Sequence, residues 1–387
     1  MNEALTAREL MAKLIGFPTV SRDSNLPLIQ WVAEYLGRQG IDSVQVPSPC
    51  GNKAALYAHV GPDEPGGVVL SGHTDVVPVD GQDWSSDPFV VEERGGLIYG
   101  RGTCDMKGFD ALAIWALVAA KQRGVTRPLQ LALSYDEEVG CVGAPVMIDH
   151  MVSHGLPRAE TVIVGEPSMM KVVTGHKGGT GFHVHVKGFE VHSSLMHEGV
   201  SAILEAARLL MWANEMNAEN RAATPGELAA QFNPPWTTLH CGKIEGGTAH
   251  NITAGDCRLG FDFRVVPGDD MAAWRSKFEA KVAEIEADMK TVRPEARIDY
   301  TPYFTVPPLT PEEDGAAERL ARQLTGDNAS HVVSYGTEGG QFQEAGYSVV
   351  VCGPGDIAQA HQANEFISVE QFQAGEAFME RLLEWAA

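Results

Sequence analysis

The 387-residue chain is 44% apolar and carries 29 Lys and Arg against 51 Asp and Glu, a formal charge of −22. That length suits two cores better than one, and the charge leaves no basic footprint for nucleic acid or an anionic membrane. The opening MNEALTAREL lacks a basic flank and apolar h-region, no apolar run reaches bilayer length, and the cysteines at 50, 104, 141, 241, 257 and 352 make no C-x-x-C pair, so a cytoplasmic protein is expected.

From Leu26 to Gln39 the residues Leu28, Val32, Tyr35 and Leu36 recur at helical spacing, with Pro27 near the start and Gly40 just beyond the end. Short apolar runs at 54–60, 68–70, 129–133 and 161–164 predict buried strands. Helical patterns over 106–123 and 142–151 separate the later ones, so the first part reads as α/β with a mostly parallel sheet. After Lys171 the texture changes: HKGGTG leads into TGFHVHVKG, whose alternation suggests a half-exposed antiparallel strand. A helix over 200–216, an Ala- and Pro-rich loop over 225–235, strands at 237–244 and 257–265, a helix over 271–289 and a strand at 296–300 follow. Together they predict a ferredoxin-like β-α-β-β-α-β layer. The chain then returns through TPYFTVPPLT to patterns like those of the first part, so residues 178–301 are expected to be inserted between 1–177 and 302–387.

Four motifs bearing carboxylates or imidazoles stand where predicted strands of the first part end: SGHTD (Ser71–Asp75), GTCDMKG (Gly102–Gly108), SYDEEVG (Ser134–Gly140) and VGEP (Val164–Pro167). A fifth, QAHQANE, lies near the C-terminus. The carboxyl ends of parallel strands share one edge, outside which ligands bind, so the motifs can meet in space. Asp136, Glu137 and Glu138 stand side by side and repel one another. A solvated acidic turn is the simplest reading of them, and a site that holds a cation is the other. A lone histidine after a strand is commonly structural, but Asp75 is placed to accept the second ring N–H of His73 and fix its tautomer for metal binding. Asp105 precedes a helix and suits an N-cap; it also suits a carboxylate bridging two cations about 3.5–4 Å apart. Adjacent glutamates leave the backbone in different directions. One of Glu137 and Glu138 can therefore bind metal while the other serves as general base toward water. Glu166 and His361 complete a set that suits zinc, cobalt or manganese better than magnesium, with Cys104 read as packing.

Together HTDVVPV, YGRGTCDMKG, DEEVG, GEPS, GHKGGTGFHVHVKGFEVHSS and GPGDIAQAHQANE resemble the M20 metallopeptidase family over nearly the whole chain. The resemblance implies two divalent ions, zinc or cobalt, held by His73, Asp105, Glu138, Glu166 and His361, with Asp105 bridging and Glu137 as catalytic base; Asp75, the expected partner of His73, is counted with the catalytic groups. It also implies a catalytic domain interrupted by a lid that forms a homodimer and lends His192 to a partner's active site as an oxyanion donor. The stretch around His192 is simply histidine-rich, with His183, His185 and His197, so a locally bonded histidine is the alternative. Arg264 in FDFRVVPG resembles the family's carboxylate clamp, with structural pairing to an acidic neighbour as the other reading. Asn251 is a candidate substrate contact. In YGTEGGQF, Gly339 permits close backbone approach to a ligand or simply makes a turn, and Glu338 is expected to receive a substrate ammonium.

The expected reaction is hydrolysis of an N-acyl amino acid, namely N2-acetyl-L-ornithine to L-ornithine and acetate, within arginine biosynthesis. Rival readings are a succinyl-diaminopimelate desuccinylase, an aminoacylase or a dipeptidase of the same family, or a module that binds metal or amino acid without chemistry.

Overall fold

The protein is described as a computed structural model covering residues 4–154 and 156–387. The first three residues of the stretch read above for a leader lie outside the described residues, as does residue 155. The chain divides into two compact units. One comprises the chain up to Gly175 together with Leu309–Val332 and Thr337–Ala387; the other comprises His176–Pro308 and Val333–Gly336.

The first unit is α/β around an eight-stranded sheet. Its order is Ser43–Pro47, Ala54–Val60, Leu129–Ser134, Val68–His73, Thr161–Pro167, Ser348–Gly353, Val173–His176 and His331–Val333. Val68–His73 pairs in parallel with both Leu129–Ser134 and Thr161–Pro167, and Thr161–Pro167 pairs in parallel with Ser348–Gly353. The flanks are antiparallel, because Ser43–Pro47 turns straight back into Ala54–Val60, which lies antiparallel on Leu129–Ser134. The sheet is therefore mixed, and the expectation of a mostly parallel sheet describes its central strands. Every residue of Val68–His73, Leu129–Ser134 and Thr161–Pro167 is buried, as required of strands in a doubly covered sheet. The helix Lys107–Arg123 is buried from Lys107 through Ile114 and from Ala116 through Ala120. Leu112, Ile114 and Leu117 join Leu10, Leu70, Leu131 and Phe378 in one core.

The second unit has its own core, which makes it a separate domain physically as well as in outline. Its four strands run Thr238–Gly246, Asp256–Val265, Gly178–Lys187 and Arg297–Val306 in spatial order, antiparallel throughout. The helices Ala202–Ala222 and Met271–Val292 complete the β-α-β-β-α-β order, and Asp270 caps the second through the N–H groups of Ala272 and Ala273. Phe278 anchors the core, stacked on Phe182 at 4.6 Å and edge-on to Phe263 and Tyr300. The last strand runs to Val306 where the sequence suggests an end near Tyr300, since Thr305 and Val306 still pair with Thr180 and Gly179.

Candidate metal centre

Strand polarity brings the carboxylates and imidazoles together. Val68–His73 and Leu129–Ser134 run in register, His73 opposite Ser134, so SGHTD and SYDEEVG emerge side by side, with Glu166 at the end of the next parallel strand. Asp105 leads into the helix Lys107–Arg123, and the Asp105–Met106 peptide is cis. Met106 occupies the N-cap position with no side-chain capping bond. The Asp105 carboxylate turns instead toward two imidazoles. Its Oδ1 lies 3.0 Å from His73 Nε2, and its Oδ2 lies 3.2 Å from His361 Nε2. Glu166 Oε1 stands 3.5 Å from His73 Nε2, and Glu138 Oε2 stands 2.9 Å from His361 Nε2. One candidate ligand atom each from His73, Asp105 and Glu138 lies within 4.8 Å of the others, and the same holds for His73, Glu137 and Glu166. The arrangement is two imidazole–carboxylate groups sharing one aspartate.

The electrostatics show what the cluster lacks. Burial pushes Glu137 up to about 7 and Glu138 up to about 8, with the charge on Asp105 adding to both. Burial and Asp105 likewise raise Glu166 well above the carboxylate range. Hydrogen bonds to Asp105 and Glu138 carry His361 up to about 10. His73 lies well above its ordinary value as well, because its bonds to Asp105 and Asp75 overcome burial. Burial opposes ionisation of Asp105, but bonds from His361 and His73 hold it far below the usual range. Without a cation the protein must hold protons among these groups, and a divalent ion would release them. Glu138 Oε1 is buried with no hydrogen-bond partner among the described residues. Such an orphaned acceptor, together with two imidazoles and three further carboxylates, fits a pair of divalent cations.

Asp75 supports the cluster differently from the sequence expectation. The His73 Nδ1 lies 2.9 Å from the main-chain carbonyl of Asp75 and 3.6 Å from its carboxylate. The carbonyl therefore accepts the ring N–H and leaves Nε2 facing the carboxylates. The Asp75 carboxylate instead accepts from Ser21 Oγ at 2.7 Å and from the N–H groups of Glu137 and Glu138 at 3.1 and 3.3 Å, tying the acidic turn to the neighbouring strand end. Asp136, the third carboxylate of that turn, is paired with Lys53 and is no part of the cluster. Glu137 Oε1 accepts from Cys141 Sγ at 3.1 Å. Cys104 is buried and bonds the Asp356 carbonyl at 3.3 Å, as a packing residue would.

Glu338 is 1% exposed, and its Oε1 accepts from Ser71 Oγ at 2.6 Å. This makes it a buried partner of the Val68–His73 strand. Gly339 is also buried, with its N–H donated to Thr337 Oγ1 at 3.0 Å. The other candidates belong to the second unit. His192 is exposed; its Nδ1 accepts from the Ser194 N–H at 3.2 Å and lies 2.8 Å from the Ser194 hydroxyl. The neighbouring Ser193 N–H is donated to the Asn251 carbonyl at 2.8 Å, so His192 and Asn251 share one corner. Arg264 Nε donates to Asp262 at 3.2 Å and is partly exposed.

The sequence reading missed Arg101 and Glu365, a fully buried pair 2.7 Å apart. Both stand inside quoted motifs, yet a separation of 264 positions leaves no local signal of the pairing.

The profile of Peptidase family M20/M25/M40 matches residues 69–385, from the strand that carries His73 to the C-terminal helix. The chain belongs to that family. This M20 protein is accordingly a metal-dependent hydrolase. It is 34% identical over 389 residues to an acetylornithine deacetylase of Myxococcus xanthus, covering 98% of each chain. It is 33% identical to one of Pasteurella multocida, covering 97% of this chain and 96% of that one. In fold it resembles an M20 family metallo-carboxypeptidase from Sulfolobus solfataricus, with a TM-score of 0.79 at 16% identity over 98% of this chain and 99% of that one.

Proposed function

We propose that this M20 protein is an acetylornithine deacetylase, hydrolysing N2-acetyl-L-ornithine to L-ornithine and acetate in the arginine biosynthesis of the cytoplasm. The observation that carries the chemistry is the position of Asp105 between His73 and His361, with Glu137 beside the cluster. The substrate is supported by relatives of that name at 33–34% identity over nearly the whole chain. The six cysteines, all free thiols, agree with a reducing compartment.

His73, Asp105 and Glu166 would hold one ion, and Asp105, Glu138 and His361 a second, zinc or cobalt by their ligand types. Bound there, the ions supply Lewis acidity toward water and the amide carbonyl. Glu137 removes the proton from the attacking water and delivers it to the amine nitrogen as the C–N bond breaks. Arg264 is assigned to the substrate carboxylate and Asn251 to a further polar contact. His192 keeps its Nε2 available, because Nδ1 is engaged by Ser194. It is assigned to the developing oxyanion, supplied by a second copy of the chain in a homodimer built through the inserted domain.

The test is hydrolysis of a panel of N-acetyl, N-succinyl and dipeptide substrates by protein stripped of metal and reloaded with zinc or cobalt. Ornithine release from N2-acetyl-L-ornithine should dominate and depend on metal. A preference of orders of magnitude for another acyl donor would overturn the substrate assignment.

A further inference from the structure

The segment that carries His361 and the loop that carries Asp105 lie far apart in sequence, and neither sits within a regular element that fixes it. His361 adopts a left-handed backbone with φ 64°, and residues 100–106 precede the helix Lys107–Arg123 as turns and bends. Something must hold the two loops at a separation that leaves Asp105 Oδ2 3.2 Å from His361 Nε2. The Glu365 carboxylate is placed to do this. It lies four residues beyond His361, and its Oε1 accepts three main-chain N–H bonds: from Gly102 at 3.0 Å, from Cys104 at 2.9 Å and from Asp105 itself at 3.1 Å. Its Oε2 receives the Arg101 guanidinium at 2.7 Å, both side chains being 1% exposed.

Arg101 returns to the histidine loop by a second route. It donates to the Gln362 carbonyl at 3.3 Å and to the Gln82 side chain, and Gln82 Nε2 donates to the His361 carbonyl at 2.8 Å. One buried carboxylate thus engages the backbone of the aspartate loop, and its counter-ion engages the Gln362 carbonyl directly and the His361 carbonyl through Gln82. Among the described residues no comparable link joins His73 to Glu166, which stand on adjacent paired strands and need none.

We propose that Glu365 is a positioning residue that registers Asp105 against His361, and so acts chiefly on the half-site made by Asp105, Glu138 and His361; the other half-site shares Asp105 but keeps His73 and Glu166 on paired strands, and loses less. The inference rests on the two-ion reading above. Groups that orient metal ligands without touching the metal commonly change affinity 10- to 100-fold when altered. Unequal loss at the two half-sites is the signature of positioning.

The test is calorimetric titration of the apo protein with Zn2+ alone, in the wild type and three variants. Glu365→Asp keeps the charge but shortens the reach to the three N–H groups. Arg101→Met with Glu365→Gln removes both buried charges but keeps an acceptor oxygen, and Arg101→Met with Glu365→Leu removes the acceptor as well. Glu365→Asp and the Leu double variant should weaken one ion about 10- to 100-fold and the other, whose site shares Asp105, by a clearly smaller factor, with the Gln double variant recovering much of the difference. Equal binding by the Gln and Leu double variants, or parallel loss of both ions in all three, would overturn the proposal. A wild type that binds fewer than two ions overturns the two-ion reading itself, a failure visible before any variant is compared.

Discussion

The candidate functional groups of the two units are held in opposite ways. In the first unit, His73, Asp105, Glu138 and Glu166 are nearly sealed from solvent, His361 reaches them from the exposed side, and all lie within hydrogen-bonding or ion-pairing reach of their neighbours across the cluster. In the second, His192 and Arg264 are solvent-accessible, and the side-chain bonds of each run to a residue two positions away, Ser194 and Asp262. The first set is preorganised and strained by its own charge, so its chemistry is built into the fold. The second set shows no such crowding of carboxylates, and the roles proposed for it depend on the substrate and a second copy of the chain.

The largest effect is expected at the sealed cluster. Glu137→Gln should lower kcat about 10²- to 10⁴-fold while the protein still binds its metal, measured by steady-state hydrolysis alongside metal analysis. A metal-loaded Glu137→Gln enzyme of wild-type activity would remove the base assignment. Next comes His192→Ala, where loss of an oxyanion donor should lower kcat about 10²- to 10³-fold with thermal stability unchanged, since an exposed side chain is removed. Arg264→Met should act mainly on KM, raising it about 10- to 100-fold through loss of a charge-assisted bond to the substrate carboxylate, and steady-state kinetics separate this from the two kcat effects.

The pH response reports on the cluster. Glu137 and Glu138, raised to about 7 and 8, hold protons in the folded, ion-free state that they have released in the unfolded chain above their ordinary value of 4.5. Their contribution to stability is therefore lost as pH rises from about 5 through 8. His361, raised to about 10, has the same sign above 6.5. Zinc needs these groups deprotonated, so the rise in Tm on adding zinc should grow from pH 5.5 to 7.5, as differential scanning calorimetry can record. The smallest effect is expected for Glu338→Gln. Burial raises that carboxyl, so an amide is a close substitute, and KM should change by less than about threefold with stability within about 1 kcal/mol.

The fold and the cluster were legible to different depths. The continuous apolar runs at Val68–Leu70, Leu129–Leu133 and Thr161–Val164 marked buried strands, because strands covered on both faces cannot alternate. Their shared direction then implied a common edge for His73, Glu137, Glu138 and Glu166. The antiparallel flanks were not legible, since periodicity carries no strand direction. Why three acids stand together at 136–138 is answered only in space: one belongs to Lys53, the other two to the cluster. The bond of Glu338 to Ser71 was not legible, because the two lie 267 positions apart. Glu365 passed unnoticed for the same reason, as nothing in QAHQANE announces three N–H donors from another loop.

The strand Ser348–Gly353 lies between Thr161–Pro167 and Val173–His176, although the whole inserted unit separates it from them along the chain. During synthesis the edge of Thr161–Pro167 therefore stays bare while some 180 further residues emerge, and the insert, contiguous from His176 to Pro308, can finish folding first. A ribosome stalled before residue 348 would present a row of unpaired amides and carbonyls to its neighbours, so this enzyme's burden on chaperones should fall on nascent chains rather than on the released protein.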